Sequence, residues 1–378
     1  MRLSLKKAEI ERIVRLTHWY QRVFFGCACL LSVIGIIFIY SAGSYWSALH
    51  YADQTPFYIK QAIYFGVAIF LCIIVMKAKF IRSEQLWGLF YVLSLLSLVA
   101  VLIPGVGLVR NGSQSWIGIG PLTVQPAEIA KITTLIYLSI ILARRKSTQR
   151  IVHVKHFVII LLPSALIMLQ PDFGAVFILI VSALVLLFIA HYPMKIFVGI
   201  VAMGIGGLVV LIASAPYRLK RIEAFLNPWA DSLGSGFQSV QSLLAIGPAG
   251  LFGHGFLKSR QKYLYLPEPQ NDFIFSIILE EVGLVGGAVL LLIFACFLFS
   301  GYGLAVRSMY QKEFYIITAL TTMIAIQACL NIGVVISLIP VTGVTLPFIS
   351  YGGTSLVMIW FTVATILNFA NVRIRKEE

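Results

Sequence analysis

The acidic residues of the segment LPEPQNDFIFSIILEEVG, from Leu266 to Gly283, are the first candidates for chemistry. Asp272 stands where a polar stretch meets an apolar run, and a carboxylate at such a boundary is costly unless it has a role. Glu280 and Glu281 follow eight and nine residues later, which is roughly 12 to 14 Å along a helix. Two readings of Asp272 are open: a reacting carboxylate, or an ordinary N-cap that accepts hydrogen bonds from free backbone N–H groups.

A second group of polar residues lies in RNGSQSWIGIGPLTVQPAEIAK, which runs from Arg110 to Lys131. Its first half is rich in turn residues and predicts a short, tight excursion around Trp116, a ring typical of membrane interfaces. Gln125, Glu128 and Lys131 are three residues apart and therefore share one face of a helix. Glu128 and Lys131 either form a structural ion pair facing the protein interior or, with Arg110, line a polar cavity for an anionic substrate.

Two other segments contain residues of interest. Asp172, in the sequence QPDFG, is a further acid at a helix junction, where it either caps the next helix or belongs to the site. In VTGVTLPFISYGGTSL, Pro347 and the pair Gly352 and Gly353 break the entry to an apolar run. Such irregular backbone is tolerated within a membrane only where protein or a cavity surrounds it.

The composition indicates a membrane protein, because 59% hydrophobic and 12% charged residues with a mean hydropathy of +0.93 do not describe a soluble chain of 378 residues. Apolar runs of about twenty residues predict about ten spans. We therefore expect an all-α polytopic membrane protein, one integral-membrane domain over residues 1–378. The predicted spans are 23–42, 57–76, 86–106, 125–143, 154–169, 173–190, 196–215, 273–300, 313–339 and 351–371.

The basic residues predict the orientation of these spans. Most of the 29 Lys and Arg fall in the first 22 residues, in the segments 77–85 and 144–155, and near the C-terminus. By the positive-inside rule, both termini and the basic tail 1–22 are cytoplasmic, and a large extracytoplasmic loop, 216–271, separates the seventh and eighth helices. Within that loop we expect an interfacial helix near Leu243 and a flexible turn from Gly247 to Gly255.

The same charges bear on the classes of partner. The net charge of +14 is mostly a matter of topology, with anionic lipid headgroups and not nucleic acid as the natural partner. The large loop breaks the bias with six basic residues, which either attract an anionic ligand such as a diphosphate or are ordinary solvated side chains. The five cysteines lie in apolar spans without metal or disulfide spacing, and there is no nucleotide-binding fingerprint.

Five motifs together carry a family resemblance over about residues 20–372. They are NGSQSWIGIG with QPAEIAK, QPDFG, GFQSVQSLLAIG, LPEPQNDFIF with EEVG, and PFISYGG, whose serine is Ser350. In this order, and with matching span positions, they resemble the shape, elongation, division and sporulation (SEDS) family of bacterial cell-wall proteins. The PEPQ sequence and the short tails are closer to the FtsW and SpoVE branch than to RodA.

The resemblance implies a peptidoglycan glycosyltransferase that polymerises lipid II at the outer face of the bacterial cytoplasmic membrane, in cell division or sporulation. Asp272 falls on the proposed catalytic aspartate, and Arg110, Glu128 and Lys131 fall on important polar positions. Lys131 and Arg110, with a divalent cation (Mg²⁺ or Mn²⁺) if one binds, would offset the charge of the leaving diphosphate; the metal ligands stay unknown. Glu280 and Glu281 resemble the family's paired glutamates, and the alternative is that they only stabilise the eighth span.

The resemblance also implies partners: a class B penicillin-binding protein that acts as a transpeptidase, and other division or elongation proteins. Three departures limit it, because Ser115 replaces a frequent Arg, Asn271 replaces Thr, and Ala249 replaces Gly. The serine at position 115 leaves the outer loop with one positively charged side chain fewer. Two other functions remain open: a lipid II flippase, or a scaffold that only recruits a cell-wall synthase. The large loop has no counterpart in the first half of the sequence. A transporter built from two matching halves is therefore disfavoured.

Overall fold

A computed structural model describes residues 7–50, 56–110, 113–119, 122–144, 154–200, 202, 206, 225–234, 236–263 and 265–371. Three strands form one small sheet: β1 (Gly107–Arg110), β2 (Ser113–Ile119) and β3 (Leu122–Val124). The α-helices are α1 (Lys7–His50), α2 (Phe57–Lys77), α3 (Glu84–Leu102), α4 (Pro126–Ala143), α5 (Val154–Met168), α6 (Phe173–Ile189), α7 (Phe237–Ile246), α8 (Ile274–Val306), α9 (Gln311–Val335) and α10 (Gly353–Phe369).

The helices confirm the predicted multi-pass membrane fold. Six are long and apolar enough to cross a membrane, namely α1, α2, α3, α4, α8 and α9, and three shorter apolar helices, α5, α6 and α10, accompany them. These nine coincide with nine of the predicted spans. Residues 194–200 are helical at the start of the remaining span, 196–215, most of which lies outside the described residues.

The bundle has two enclosed helices at its centre. The apolar windows of α4 and α9 are each 78% buried, against 22% to 39% for the other four long helices. Helix α9 packs against α4, α6 and α8, while α1 pairs with α8 and α2 pairs with α10. Polar side chains on α4 and α9 are therefore shielded from lipid, which is the condition for keeping them within a membrane.

Charged side chains join the loops at one end of the bundle. The Glu84 carboxylate accepts hydrogen bonds from Arg144 at 2.5 Å and from Lys312 at 2.8 Å. Arg82 pairs with Glu313 at 3.4 Å and donates to the side-chain oxygen of Asn368 at 3.1 Å. Exposed ion pairs add little stability, but they show that the loops after α2, α4 and α8 meet the end of α10, as the predicted cytoplasmic face requires.

Two elements differ from the sequence prediction. Helix α1 begins at Lys7, so most of the expected basic tail is helical, because residues 7–22 are mostly good helix formers that continue directly into the apolar run. The expected excursion around Trp116 is an antiparallel sheet of order β1-β2-β3, in which Leu108 pairs with Trp116 and Ile117 pairs with Val124. The sequence Asn-Gly between two runs of strand formers is a strong hairpin signal that the turn interpretation missed.

Helix α8 is broken at Gly283, and the large loop closes the break. Gly283 has φ 67° and ψ −169°. Leu284 N–H donates to Gly250 O at 3.1 Å and Val285 N–H donates to Leu251 O at 3.0 Å. In return, the N–H groups of His254 and Gly255 donate to the carbonyls of Glu280 and Glu281, both at 2.9 Å. The expected flexible turn from Gly247 to Gly255 is therefore wrong, because this segment supplies the partners that a broken helix lacks.

We predict that Gly283→Ala weakens this backbone pairing. An added Cβ would lie 2.4 Å from both Gly253 N and Leu251 O, and the backbone conformation itself favours glycine. The expected loss is about 2 kcal/mol or more in unfolding free energy, measured by denaturant unfolding in detergent micelles. Gly66→Ala is the matched control, because an added Cβ meets nothing within 4 Å there. Equal stability of the two variants would contradict the pairing.

Candidate functional site

Asp272 lies in the turn before α8, and its carboxylate does not cap the helix. Helix α8 begins at Ile274, with Phe273 at the N-cap position and no side-chain cap. In the part of the chain that the structure describes, no hydrogen bond joins the Asp272 carboxylate to another residue. Its Oδ2 atom faces Gly343, where an added Cβ would lie 3.7 Å away. The N-cap reading is therefore wrong, because the helix starts one residue later than a cap at Asp272 needs.

The surroundings of Asp272 bring its pKa close to neutrality. Burial raises the pKa of Asp272 to about 6, and the negative charge of Glu268 acts in the same direction. Glu268 has a left-handed φ of 42°. Asn271 holds it through its side-chain nitrogen, 2.7 Å from Glu268 Oε2, and through its backbone N–H, 3.0 Å from Glu268 O. Such a carboxylate is ionised at neutral pH yet basic enough to accept a proton.

Two neighbouring elements fix the backbone around Asp272. Asn331 of α9 donates from Nδ2 to Asp272 O and to Val344 O, both at 2.7 Å. Tyr351 N–H donates to Gln270 O at 2.9 Å. The turn before α8 is thus tied both to the enclosed helix α9 and to the irregular segment 336–352, which follows α9.

The second predicted polar group forms a buried cluster at the starts of α4 and α6. Lys131 Nζ lies 2.8 Å from Glu128 Oε1, so the predicted ion pair is present and faces the protein interior. Asp172 accepts from Ala175 N–H at 3.0 Å, which confirms that it caps α6, and from Gln125 Nε2, also at 3.0 Å. Burial raises the pKa of Asp172, while the Ala175 N–H and the Lys131 charge oppose that shift.

The small sheet lies against this cluster. Ser113 and Ser115 of β2 both donate to the carbonyl oxygen of Gln170, and Gln170 Nε2 donates to Leu98 O at 3.1 Å. Ser115 therefore has a structural task, although it supplies no cation. Trp116, on the same strand, is half-buried. Arg110 ends β1, and its side chain lies outside the described part of the structure.

One short stretch of chain joins Asp272 to the cluster. An added Cβ on Gly174, in the first turn of α6, would lie 2.3 Å from Val344 Cγ2 and 3.2 Å from Thr342 O. Gly343, between those two residues, faces the Asp272 carboxylate. Residues 342–344 consequently touch Asp272 on one side and the start of α6, capped by Asp172, on the other. The predicted residues Gln125, Glu128, Lys131, Asp172 and Asp272 therefore gather at one end of the bundle.

The segment 336–352 is irregular, and its second half, around Pro347, is enclosed by protein, as its sequence predicts, while Leu338 and Val341 in its first half are exposed. Leu346, Phe348 and Ile349 are each at most 2% exposed. Ser350 Oγ accepts from Leu346 N–H at 2.8 Å, next to Pro347 in the chain.

A buried glutamine of α2 holds the end of this segment. Gln61 donates to Ser350 O at 3.1 Å and accepts from Gly352 N–H at 3.3 Å. Gly353, which starts α10, packs so close to Tyr64 that an added Cβ would lie 2.6 Å from its ring. Sequence reasoning missed Gln61, although a glutamine inside an apolar span was an available signal.

Glu280 and Glu281 belong to a separate buried network that anchors the large loop. Glu280 accepts from Ser259 Oγ at 2.5 Å and from Arg260 N–H at 2.8 Å. Glu281 accepts from Ser41 Oγ of α1 at 2.5 Å and pairs with Lys262 at 3.4 Å. The structure supports the stabilising role for both glutamates. It also commits Lys262, one of the loop cations, to an internal partner.

Sequence comparisons find relatives that match most of this chain. A protein-family model for FtsW, RodA and SpoVE, described as "Cell cycle protein", matches residues 21–374. Stage V sporulation protein E of Bacillus subtilis is 42% identical over 342 residues, 90% of this chain and 93% of that protein. The "Probable peptidoglycan glycosyltransferase FtsW" of Saccharophagus degradans is 34% identical over 359 residues, 93% of this chain and 92% of that protein.

Solved structures show the same fold. A chain of a peptidoglycan synthase complex that coordinates polymerization and crosslinking has a TM-score of 0.76 and 29% identity, covering 92% of this chain and 96% of that chain. The rod shape determining protein RodA of Thermus thermophilus has a TM-score of 0.67 and 24% identity, with the same two coverages. The similarity to RodA of Thermus thermophilus is a similarity of fold alone.

We predict that the ion pair of Glu128 and Lys131 is strongly coupled. Lys131→Met leaves a buried, unpaired carboxylate and should cost about 3 to 5 kcal/mol of unfolding free energy. Adding Glu128→Gln to that variant should recover most of the loss, because no buried charge then lacks its partner. Denaturant unfolding of the two single variants and the double variant in detergent completes the cycle. Additive losses would show that the two side chains do not act as a pair.

Proposed function

This chain belongs to the FtsW, RodA and SpoVE family of cell cycle proteins, and on that premise we propose that it is a peptidoglycan glycosyltransferase. In this proposal it polymerises lipid II at the outer face of the cytoplasmic membrane during cell division or sporulation. Relatives that carry the name of this activity match nearly the whole chain, at 32–34% identity for several of them. The observation that carries the proposal is the Asp272 carboxylate, near neutral in pKa and free of internal partners among the described residues.

Asp272 is the general base of the proposed reaction. Its carboxylate takes the proton of the acceptor sugar hydroxyl while the hydroxyl oxygen bonds to the anomeric carbon of the donor. The bond from that carbon to the diphosphate breaks, and the undecaprenyl diphosphate leaves with the electron pair. A diphosphate needs no proton to leave, so a single carboxylate suits an inverting displacement. A group with a pKa of about 6 is mostly ionised at pH 7 and ready for this role.

The polar cluster at α4 and α6 is the proposed site for the diphosphate. Lys131 is buried there beside Glu128, so it acts on the leaving group through its field in a shielded environment, where charges interact more strongly than in water. Arg110, at the end of β1, supplies a second positive charge to the same group. Gln125 and Asp172 of this cluster, with Trp116 of the adjacent sheet, complete the proposed substrate-binding set.

A divalent cation, Mg²⁺ or Mn²⁺, is a further part of the proposal. Such ions take oxygen ligands. The turn before α8 offers the Glu268 carboxylate, and the side-chain oxygens of Gln270 and Asn271 are buried there without hydrogen-bond partners in the described part of the chain. These donors fit a hard cation, which would offset the charge of the diphosphate. Energy comes from the substrate, so no nucleotide cofactor is proposed.

A transpeptidase is the proposed partner. The solved complex that resembles this chain coordinates polymerization with crosslinking, which supports a class B penicillin-binding protein as the partner here, alongside other division or elongation proteins. Helices α8 and α9 are the proposed docking elements. Of the two, α8 exposes more of its surface, with 28% of its apolar window buried against 78% for α9.

We predict that Asp272→Asn abolishes polymerisation of labelled lipid II by the purified protein, assayed alone and with its penicillin-binding protein. The substitution keeps the shape of the side chain and removes its basicity. Asp231→Asn, an equivalent change on an exposed outer-loop residue, should keep the wild-type rate. Polymer from the Asp272 variant would remove this residue from the chemistry. Failure of wild type even with the partner would favour a flippase or a scaffold.

We predict that Glu268→Gln shifts the pH profile of polymerisation to lower pH. The negative charge of Glu268 raises the pKa of Asp272, so a neutral side chain lets Asp272 ionise at lower pH. The glutamine oxygen can still accept the hydrogen bond from Asn271. Initial rates between pH 5 and 8 should show the acidic limb moving down, and a limb that stays fixed or moves up would contradict the coupling.

A further inference from the structure

We propose that Asn331 is a positioning residue for the polymerisation reaction, an inference that rests on the function proposed for Asp272. Its side-chain amide bonds the carbonyl of Asp272 and the carbonyl of Val344, both at 2.7 Å. An amide nitrogen carries two N–H donors, so these two bonds use both. Asn331 thereby sets the position of the reacting turn relative to the segment that faces the Asp272 carboxylate.

Both carbonyls belong to backbone that cannot satisfy itself. Asp272 precedes the first turn of α8, and Val344 lies in the irregular segment 336–352. Buried carbonyl groups outside regular structure need partners from side chains or water. Asn331 is fully buried and lies on α9, one of the two most enclosed helices. Helix α9 therefore fixes the position of two segments that lack the regular backbone hydrogen bonds of a helix or a sheet.

The geometry links this amide to the reacting group directly. Gly343, which precedes Val344, is the residue that faces Asp272 Oδ2. Asn331 is thus a side chain that is hydrogen-bonded both to the turn and to the facing segment. A displacement of about 1 Å in a reacting group lowers rates by as much as roughly a hundredfold. The expected effect of losing the amide is therefore on the chemical step and not only on folding.

Two other buried amides serve as comparisons. Gln327, one helical turn before Asn331, donates to Thr345 O at 3.1 Å, and Gln61 of α2 holds Ser350 and Gly352. All three amides secure the segment 336–352. Of the three, Asn331 is the one that also reaches Asp272, so it should differ from the others in its effect on catalysis.

The test compares Asn331→Leu with Gln327→Leu in the assay with lipid II. Leucine has the same branching and the same number of side-chain heavy atoms as asparagine, and it lacks both donors. It also removes Asn331 Oδ1, a buried oxygen with no hydrogen-bond partner in the described part of the chain. We expect Asn331→Leu to lower kcat per folded molecule by about tenfold to a hundredfold, with KM for lipid II changed less than about twofold because substrate contacts are kept. Gln327→Leu should retain a kcat within a few-fold of wild type.

The outcomes are distinguishable. If wild type polymerises lipid II and both variants lose only thermal stability, with equal kcat per folded molecule, Asn331 is a structural residue and the positioning role is overturned. An equal fall in kcat for both variants would overturn it too, because the contact with Asp272 would then make no difference. If wild type does not polymerise, the proposed function itself fails. Folded fractions from size-exclusion chromatography in detergent normalise each rate.

Discussion

Backbone groups that leave the helix within an apolar environment must still find hydrogen-bond partners, and the rest of this structure depends on how they do so. The break in α8 at Gly283 is closed by four backbone bonds to the segment 250–255. The irregular segment 336–352 is closed by buried amides from α2 and α9. The backbone bonds at Gly283 also fix the end of the large loop. The buried amides also fix the segment that faces Asp272.

This constraint explains why the polar residues lie where they do. The enclosed helices α4 and α9 carry a buried ion pair and two buried amides, and the polar side chains Gln61, Glu280 and Glu281 of the more exposed helices are buried in the protein interior. Residues 342–344 then touch both the Asp272 carboxylate and the start of α6. The Asp272 carboxylate and the buried cluster around Lys131 thus lie at one end of the bundle, an arrangement that fits the transfer we propose.

Hydropathy and charge were enough to predict nine described spans and the grouping of the basic loops at one end of the bundle, because both depend on side-chain composition alone. The stripe of Gln125, Glu128 and Lys131 was predictable from helical spacing for the same reason. The pairing of the backbone around Gly283 with the large loop was not predictable. Backbone hydrogen bonds between segments far apart in the sequence leave no signal in composition. Asp272 was singled out by its position before an apolar run, and its role in the reaction stays a prediction; the cap alternative failed because helix boundaries are uncertain by one or two residues.

The most direct test of the central claim is an electron cryomicroscopy structure of the Asp272→Asn variant with lipid II bound. If Asp272 is the general base, an acceptor sugar hydroxyl should lie within hydrogen-bond distance, about 3 Å, of the side chain at position 272. In the proposed reaction, the donor diphosphate should lie on the side of Lys131 and the start of α6. A lipid II molecule whose sugars lie away from position 272, with other protein groups between them, would contradict the claim that this carboxylate performs the transfer.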